Sequence, residues 1–108
     1  MTERNIHNKL VRDRIPEIIE KDGRHSEIKI LNETEYHQAL LRKLVEEANE
    51  VATAEEDELV KELADLYEVI DTLLVAFDLD KATIVDVQKK RRVERGGFDK
   101  RIKLLSTD

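Results

Sequence analysis

The sequence contains no cysteine and no tryptophan, and it has only one proline, three glycines, two Tyr and two Phe. Without cysteine, neither a disulfide framework nor a Cys-based zinc site can form. The scarcity of proline and glycine, beside long runs of Glu, Lys, Leu and Ala, favours helix over sheet. No apolar run is long enough to span a membrane and no signal peptide is recognisable, so we expect a cytoplasmic protein without a membrane partner.

The chain has 108 residues, which is near the common size of one domain. We therefore expect a single helical domain over residues 1–108, with residues 1–7 as a flexible start. Apolar residues make up 40% of the chain and charged residues 41%. Such a composition supports only a modest core, so burial of further apolar surface in a homo-oligomer is expected.

The net charge of −6 is distributed unevenly along the chain. Residues 1–25 carry six Lys/Arg against five Asp/Glu, residues 26–80 carry four against sixteen, and residues 81–108 carry nine against four. An acidic middle between basic ends can hold a metal centrally and phosphates peripherally, although charge runs on helical proteins are commonly only solvated faces. The acidic balance does not favour nucleic-acid binding.

Two segments precede the long helices. Asp13 is predicted to cap a short helix that has Pro16 in its first turn and ends near Lys21. Residues 27–31 alternate briefly and predict a short extended segment. The cations Lys9, Arg12 and Arg14 are within reach of an anionic ligand, but their spacing better fits pairing with the acidic middle or exposure to solvent.

Three long helices follow. The first has its cap within residues 32–34 and runs to about Ala54, and residues 55–57 form an acidic turn. The second runs to about Phe77 and is apolar on more than one face near its end, which indicates burial on two sides. The third is capped within residues 78–80 and stops at Gly96-Gly97, just past a basic last turn. The apolar residues of the tail are predicted to pack back onto the bundle: Phe98, Ile102, Leu104 and Leu105.

The two central helices place carboxylates at the border of their apolar stripes. Glu47 lies at the border of the stripe of the first helix, and Glu50 lies one turn further along the same border. Glu62 lies inside the stripe of the second helix, with Asp65 at its edge. Ionised carboxylates facing an apolar layer cost several kcal/mol each unless a partner or a metal neutralises them. Oxygen-only ligands suit magnesium or manganese, so the hairpin predicts a divalent-cation site.

Other chemistries lack their residues. A redox di-iron bundle needs Glu-x-x-His pairs, which do not occur, and His7, His25 and His37 are interpreted as surface or packing residues. There is no GxxxxGK[ST] or GxGxxG loop and no Ser-His-Asp or Cys-His arrangement.

With these motifs in view, the chain resembles the MazG-like all-α nucleoside triphosphate pyrophosphatases. The family-level feature is the EExxE…ExxD pattern. The stretches from Asn8 to Pro16 and from Arg95 to Phe98 resemble the branch labelled phosphoribosyl-ATP pyrophosphohydrolase-like. The resemblance covers nearly the whole chain and implies an antiparallel bundle of about four helices, assembled as a dimer or a dimer of dimers.

The resemblance implies magnesium-dependent hydrolysis of a nucleotide between its α and β phosphates, giving a monophosphate and pyrophosphate. Glu47, Glu50, Glu62 and Asp65 would be the metal ligands, and Glu46 would orient the attacking water beside Glu47. The implied phosphate contacts are Lys43, Arg92 and Arg95, followed by Lys9, Arg12 and Arg14. Tyr36, Tyr67 and Phe98 could stack on a base, although core packing is the favoured interpretation of all three.

Two non-enzymatic interpretations stand beside this one. A helical dimerisation or regulatory module would carry the same carboxylates as a solvated face. A nucleotide-binding sensor would bind the ligand with magnesium and release no product. The sequence does not identify the nucleotide, the residues that read its base, or the number of metal ions.

Overall fold

The computed structural model describes residues 5–108, and this part of the chain is helical, without strands. The all-α prediction is therefore confirmed for the described residues. Residues 1–4 of the predicted flexible start lie outside them, and residues 5–7 have no regular secondary structure. The four α-helices are α1 (Ile15–Lys21), α2 (Glu33–Thr53), α3 (Leu59–Ala76) and α4 (Lys81–Arg95).

The chain divides into two compact units, Met1–Phe77, described from residue 5, and Asp78–Asp108. The first unit contains α1, α2 and α3, and the second contains α4 and the tail that follows it. None of the described helices combines the length and the apolar character that a membrane crossing requires.

Helix α1 begins one residue later than the sequence predicts. Its N-cap is Arg14, which makes no capping hydrogen bond through its side chain, so the prediction of Asp13 as the cap is wrong. The N–H of Ile15 donates to the carbonyl of Arg12 at 3.1 Å, so Asp13 lies within a turn that precedes the helix. Pro16 lies in the first turn and Lys21 ends the helix, as predicted.

Residues 27–31 form no strand. The side chains of Ile28 and Ile30 are both exposed. The alternation of apolar and polar residues therefore buries no apolar side chain that would stabilise a strand. Lys29 instead donates to Glu35 at 2.9 Å, at the start of α2.

Helix α2 starts with the predicted cap. The N–H of Glu35 donates to Asn32 Oδ1 at 2.8 Å, and the N–H of Asn32 donates to Glu35 Oε1 at 3.2 Å. This reciprocal capping box satisfies two N–H groups that the first helical turn leaves without a partner. The hydrogen bond from Lys29 and the one from the Asn32 backbone lower the pKa of Glu35.

Helices α2 and α3 pack together as a hairpin, and a single turn of 3₁₀-helix at Glu56–Glu58 joins them where the sequence predicts an acidic turn. Three side chains in this hairpin are buried: Ala39 to 8% exposure, Leu40 to 2% and Val69 to 8%. One layer of contact between two helices buries only one stripe of each, which limits the core to this small set.

His37 is a packing residue, as the sequence indicates. Its Nε2 lies 3.0 Å from the carbonyl oxygen of Ala76, and its ring stacks on that of Phe77 with the centroids 4.2 Å apart. These contacts tie α2 to the end of α3 and use a carbonyl that the helix end would leave without a partner.

The second apolar side of α3 is exposed in this chain. Val75 is 82% exposed and Tyr67 is 63% exposed, while Ile70 and Phe77 are partly exposed. The predicted burial on two sides therefore does not occur within one chain, and Tyr67 does not pack in a core. A surface of this kind requires a partner if it is to be buried.

Helix α4 begins and ends as predicted. Asp80 caps it by accepting from the N–H of Ala82 at 3.2 Å. Its last residue is Arg95, and Gly96 follows with a φ of 82°, which suits glycine. The apolar residues of the tail are exposed, and their predicted docking onto the bundle stays a prediction. The exposures are 98% for Phe98, 80% for Ile102, 75% for Leu104 and 83% for Leu105.

Candidate functional site

Helix α2 contributes a lysine and two glutamates from a single helical face. Lys43 and Glu47 are one turn apart, with 3.5 Å between the Lys43 Nζ and a Glu47 carboxylate oxygen. Their side chains are only 17% and 12% exposed. Glu46 shares the same ammonium at 3.4 Å but is more exposed, at 35%. A half-buried lysine therefore partly neutralises the acidic face of this helix.

Helix α3 places Glu62 and Asp65 opposite this face. One carboxylate oxygen from each of Glu47, Glu62 and Asp65 can be chosen so that all three lie within 4.8 Å of one another. All three residues are partly buried. The spacing of three residues between Glu62 and Asp65 puts both on the same ridge of α3, and the hairpin brings that ridge against α2.

The segment before α1 adds cations to this cluster. Arg12 donates to Asp65 Oδ1 at 2.7 Å, the shortest of the ion pairs among the described residues. Lys9 lies 3.5 Å from Glu46. Arg14 instead pairs with Glu17 within α1 at 3.4 Å. Lys9 and Arg12 thus pair with carboxylates of the acidic middle, which is one of the two interpretations that sequence spacing favours.

An open groove of about 390 Å³ is lined by five of these residues: Arg12, Arg14, Lys43, Glu47 and Asp65. Its size falls in the range of small-ligand pockets. Sequence reasoning did not place Glu68 and Thr72 here, although both continue the face of α3 that carries Asp65. Tyr36 lies in the groove because it continues the face of α2 that carries Leu40 and Lys43. The lining is Leu10, Val11, Arg12, Asp13, Arg14, Tyr36, Leu40, Lys43, Glu47, Asp65, Glu68, Val69 and Thr72.

Other predicted site residues lie outside this cluster. Glu50 is exposed and is not one of the three converging carboxylates. Arg92 and Arg95 belong to the last turn of α4, in the second compact unit. Their predicted roles as ligand and phosphate contacts remain predictions.

Comparison with protein-family models, curated proteins and solved structures finds no match. The resemblance to the MazG-like group thus remains an expectation from sequence motifs.

The donor set fits a hard divalent cation. Glu47, Glu62 and Asp65 offer only oxygen ligands, which magnesium and manganese prefer, and a groove beside them leaves room for water and phosphate oxygens. Three carboxylates against the cations of Lys43 and Arg12 leave the cluster with excess negative charge. This excess favours binding of a further cation.

Proposed function

We propose that this chain is a metal-dependent nucleotide pyrophosphohydrolase. The reaction would cleave a nucleoside triphosphate, or a related nucleotide, between the α and β phosphates to give a monophosphate and pyrophosphate. The observation that supports this function is the convergence of Glu47, Glu62 and Asp65. Two of these carboxylates, Glu47 and Asp65, line a groove that Arg12 and Lys43 also line. The EExxE…ExxD resemblance points to the same reaction.

Magnesium, or manganese in its place, would be held by Glu47, Glu62 and Asp65, with Glu50 as a predicted fourth ligand. When bound, such an ion neutralises polyphosphate charge and lowers the pKa of a coordinated water. The chain's own contribution is to hold these carboxylates together: α2 fixes Glu47, while α3 fixes the other two on one ridge.

Lys43 and Arg12 are the proposed phosphate contacts in this groove. Each now neutralises a carboxylate of the cluster, Lys43 at Glu47 and Arg12 at Asp65. A cation bound by these carboxylates would take over that neutralisation, so both side chains would be available for phosphate oxygens. Arg12 offers a planar fork of donors that suits phosphate, and Lys43 offers a compact charge.

Glu46 is the proposed residue that orients the attacking water. It adjoins Glu47 in sequence, and its Oε1 lies 3.4 Å from the Lys43 ammonium and 3.5 Å from that of Lys9. A carboxylate fixed in this way can accept a proton from water in a defined direction.

A helical dimerisation module is the second candidate, and the exposed apolar face of α3 favours it. Val75 at 82% exposure and Val60 at 80% leave apolar surface that a second copy would bury. This module and the enzyme are compatible in one protein, so we also propose a homo-oligomer. They differ in what Glu62→Gln does to turnover and to stability.

The test is pyrophosphate release from a panel of nucleoside triphosphates and phosphoribosyl-ATP, with magnesium or manganese, for the wild type, Glu62→Gln and Glu56→Gln. Glu56 is an exposed acid in the connecting turn and is the matched control. We expect the Glu62 variant to lose at least about a hundredfold in rate, since even residues that only support metal ligands cost ten- to a hundredfold.

Metal-dependent turnover that survives Glu62→Gln would contradict the assigned site. A folded wild type that binds nucleotide with magnesium and releases no product from the panel would be a sensor. A wild type that binds neither, and that Glu62→Gln stabilises, would be a structural module.

A further inference from the structure

The cations of the two units differ in how they are neutralised. Before residue 78, eight of the nine described Lys/Arg residues have a carboxylate within 3.7 Å, and Arg42 is the exception. In the second unit, none of the nine forms an ion pair or a side-chain hydrogen bond with a described residue of that unit. These nine are Lys81, Lys89, Lys90, Arg91, Arg92, Arg95, Lys100, Arg101 and Lys103.

Three of these cations line a hollow that the chain forms just after α4. The hollow measures about 580 Å³, and consecutive residues line it, from Arg95 through Gly96, Gly97, Phe98, Asp99, Lys100 and Arg101 to Ile102. Its one carboxylate is that of Asp99, so its lining carries an excess of positive charge. An anion is the ligand that this charge favours.

The backbone of the hollow also presents donors. Among the described residues, the N–H groups of Gly97 and Phe98 have no hydrogen-bond partner. A Cβ at Gly97 would meet no atom within 4 Å, and this residue lacks a positive φ, so nothing inside the chain requires glycine there. Because glycine has no side chain, a ligand can approach the main chain closely at this position. N–H groups without a partner can then bind phosphate oxygens.

An aromatic ring completes the set. Phe98 lies between the glycine pair and the cations and is 98% exposed. A ring this exposed offers both faces for stacking, and a nucleotide base is the planar group that accompanies phosphate. A long polyanion is disfavoured by the net charge of −6 of the whole chain, whereas a single nucleotide needs only local neutralisation.

We propose that the loop from Arg95 to Ile102 is a binding site for a mononucleotide. Arg95, Lys100 and Arg101, with the N–H groups of Gly97 and Phe98, bind the phosphates, and the ring of Phe98 stacks on the base. The choice of a nucleotide rests on the proposed function, but binding here needs no metal.

The experiment is ATP binding to the full chain in the presence of a chelator, measured by calorimetry and by amide NMR shifts. The shifts are expected to centre on Gly97 and Phe98. Phe98→Ala should weaken ATP binding about tenfold, as expected for loss of one stacked base, and leave inorganic triphosphate unaffected. Arg101→Gln should weaken the binding of both ATP and inorganic triphosphate about tenfold. The matched control is Lys81→Gln, which removes an unpaired cation at the start of α4 and should change neither.

Several results would overturn the site. Equal losses in Arg101→Gln and Lys81→Gln would indicate diffuse charge attraction only. A single-stranded oligonucleotide that binds more than about a hundredfold tighter than ATP would make the loop a nucleic-acid surface. Binding to anionic lipid vesicles without binding to ATP would make it a membrane contact. Because no metal is present, loss of hydrolysis in Glu62→Gln leaves this binding unchanged, so the two proposals fail separately.

Discussion

At the scale of single residues, the ion pair between Arg12 and Asp65 is the contact that most affects the candidate metal site. Asp65 is a proposed metal ligand, yet it accepts from Arg12 at 2.7 Å. A guanidinium and a metal compete for the same carboxylate, because each neutralises the same charge. In this structure Arg12 is therefore a counter-ion of the cluster. Its proposed role as a phosphate contact requires that a bound metal replace it at Asp65.

Arg12→Gln is expected to raise the affinity for magnesium or manganese, since no guanidinium then competes for Asp65. The side chains of this pair are 58% and 34% exposed, so we expect a loss of no more than about 1 kcal/mol in the free energy of unfolding. Calorimetric titration with manganese and chemical denaturation measure the two quantities.

Arg14→Gln is the matched control for this change, because Arg14 pairs with Glu17 and not with the cluster. Its metal affinity should equal that of the wild type. If Arg12→Gln leaves metal affinity unchanged or lowers it, Arg12 does not compete for the site.

Sequence spacing predicted the types of residue at the site better than their grouping. Glu47, Glu62 and Asp65 converge as the hairpin argument requires, whereas Glu50 is exposed. A step of three residues leaves Glu47 and Glu50 about 60° apart around the axis of α2, the same spacing that keeps both Glu62 and Asp65 in the cluster, so spacing alone does not decide whether Glu50 joins it. Which of the two faces α3 depends on how each helix is rotated about its axis, and this rotation is set by packing that one sequence does not reveal.

At the scale of elements, the capping box fixes the start of the helix that carries half of the site. Asn32→Ala removes the acceptor of the Glu35 N–H and should lower the free energy of unfolding by about 1 kcal/mol. Asn49→Ala, in the exposed interior of α2, is the control and should be neutral or slightly stabilising, because alanine has the higher helix propensity. Equal effects of the two substitutions in chemical denaturation would contradict the capping role.

Glu35 makes this cap dependent on pH. The hydrogen bond from Lys29 and that from the Asn32 N–H lower its pKa below the ordinary value of 4.5. A lowered pKa in the folded state means that the stabilisation is fully present above pH 4.5 and is lost as the pH falls through the folded pKa. The stability difference between the wild type and Glu35→Gln should therefore be constant near neutrality and shrink in acid. A difference that grows in acid would contradict this sign.

Local signals predicted the ends of the helices where a side chain or a glycine decides them. Asn32, Asp80 and Gly96 each lie at the predicted end of a helix, because capping is chemistry between near neighbours. The start of α1 was missed by one residue, since Arg14 occupies the cap without a side-chain hydrogen bond. The segment 27–31, predicted to be extended, forms no strand, because its alternation has no second strand to pair with among the described residues.

At the scale of the whole molecule, the small core supports the proposed homo-oligomer. Among the described residues, the buried apolar side chains are Ala39, Leu40 and Val69, while Val75 and Val60 remain mostly exposed on α3. We expect a homo-oligomer whose unfolding midpoint rises with protein concentration, because dissociation accompanies unfolding. Light scattering and thermal unfolding over about a hundredfold range of concentration measure this.

Val75→Lys should shift the assembly toward the monomer and lower the midpoint, since a charge on this face would have to be desolvated at an interface. Lys61→Arg, an exposed change that preserves charge on the same helix, is the control. A wild type with the mass of one chain and a midpoint independent of concentration would contradict the proposed homo-oligomer.

The most direct test of the central claim is to identify the products that the wild-type protein forms from nucleoside triphosphates and phosphoribosyl-ATP, with magnesium and with a chelator. The proposed reaction predicts monophosphate and pyrophosphate in equal amounts, formed only with the metal. Nucleoside diphosphate with orthophosphate, or products that form equally well with the chelator, would contradict a metal-dependent pyrophosphohydrolase.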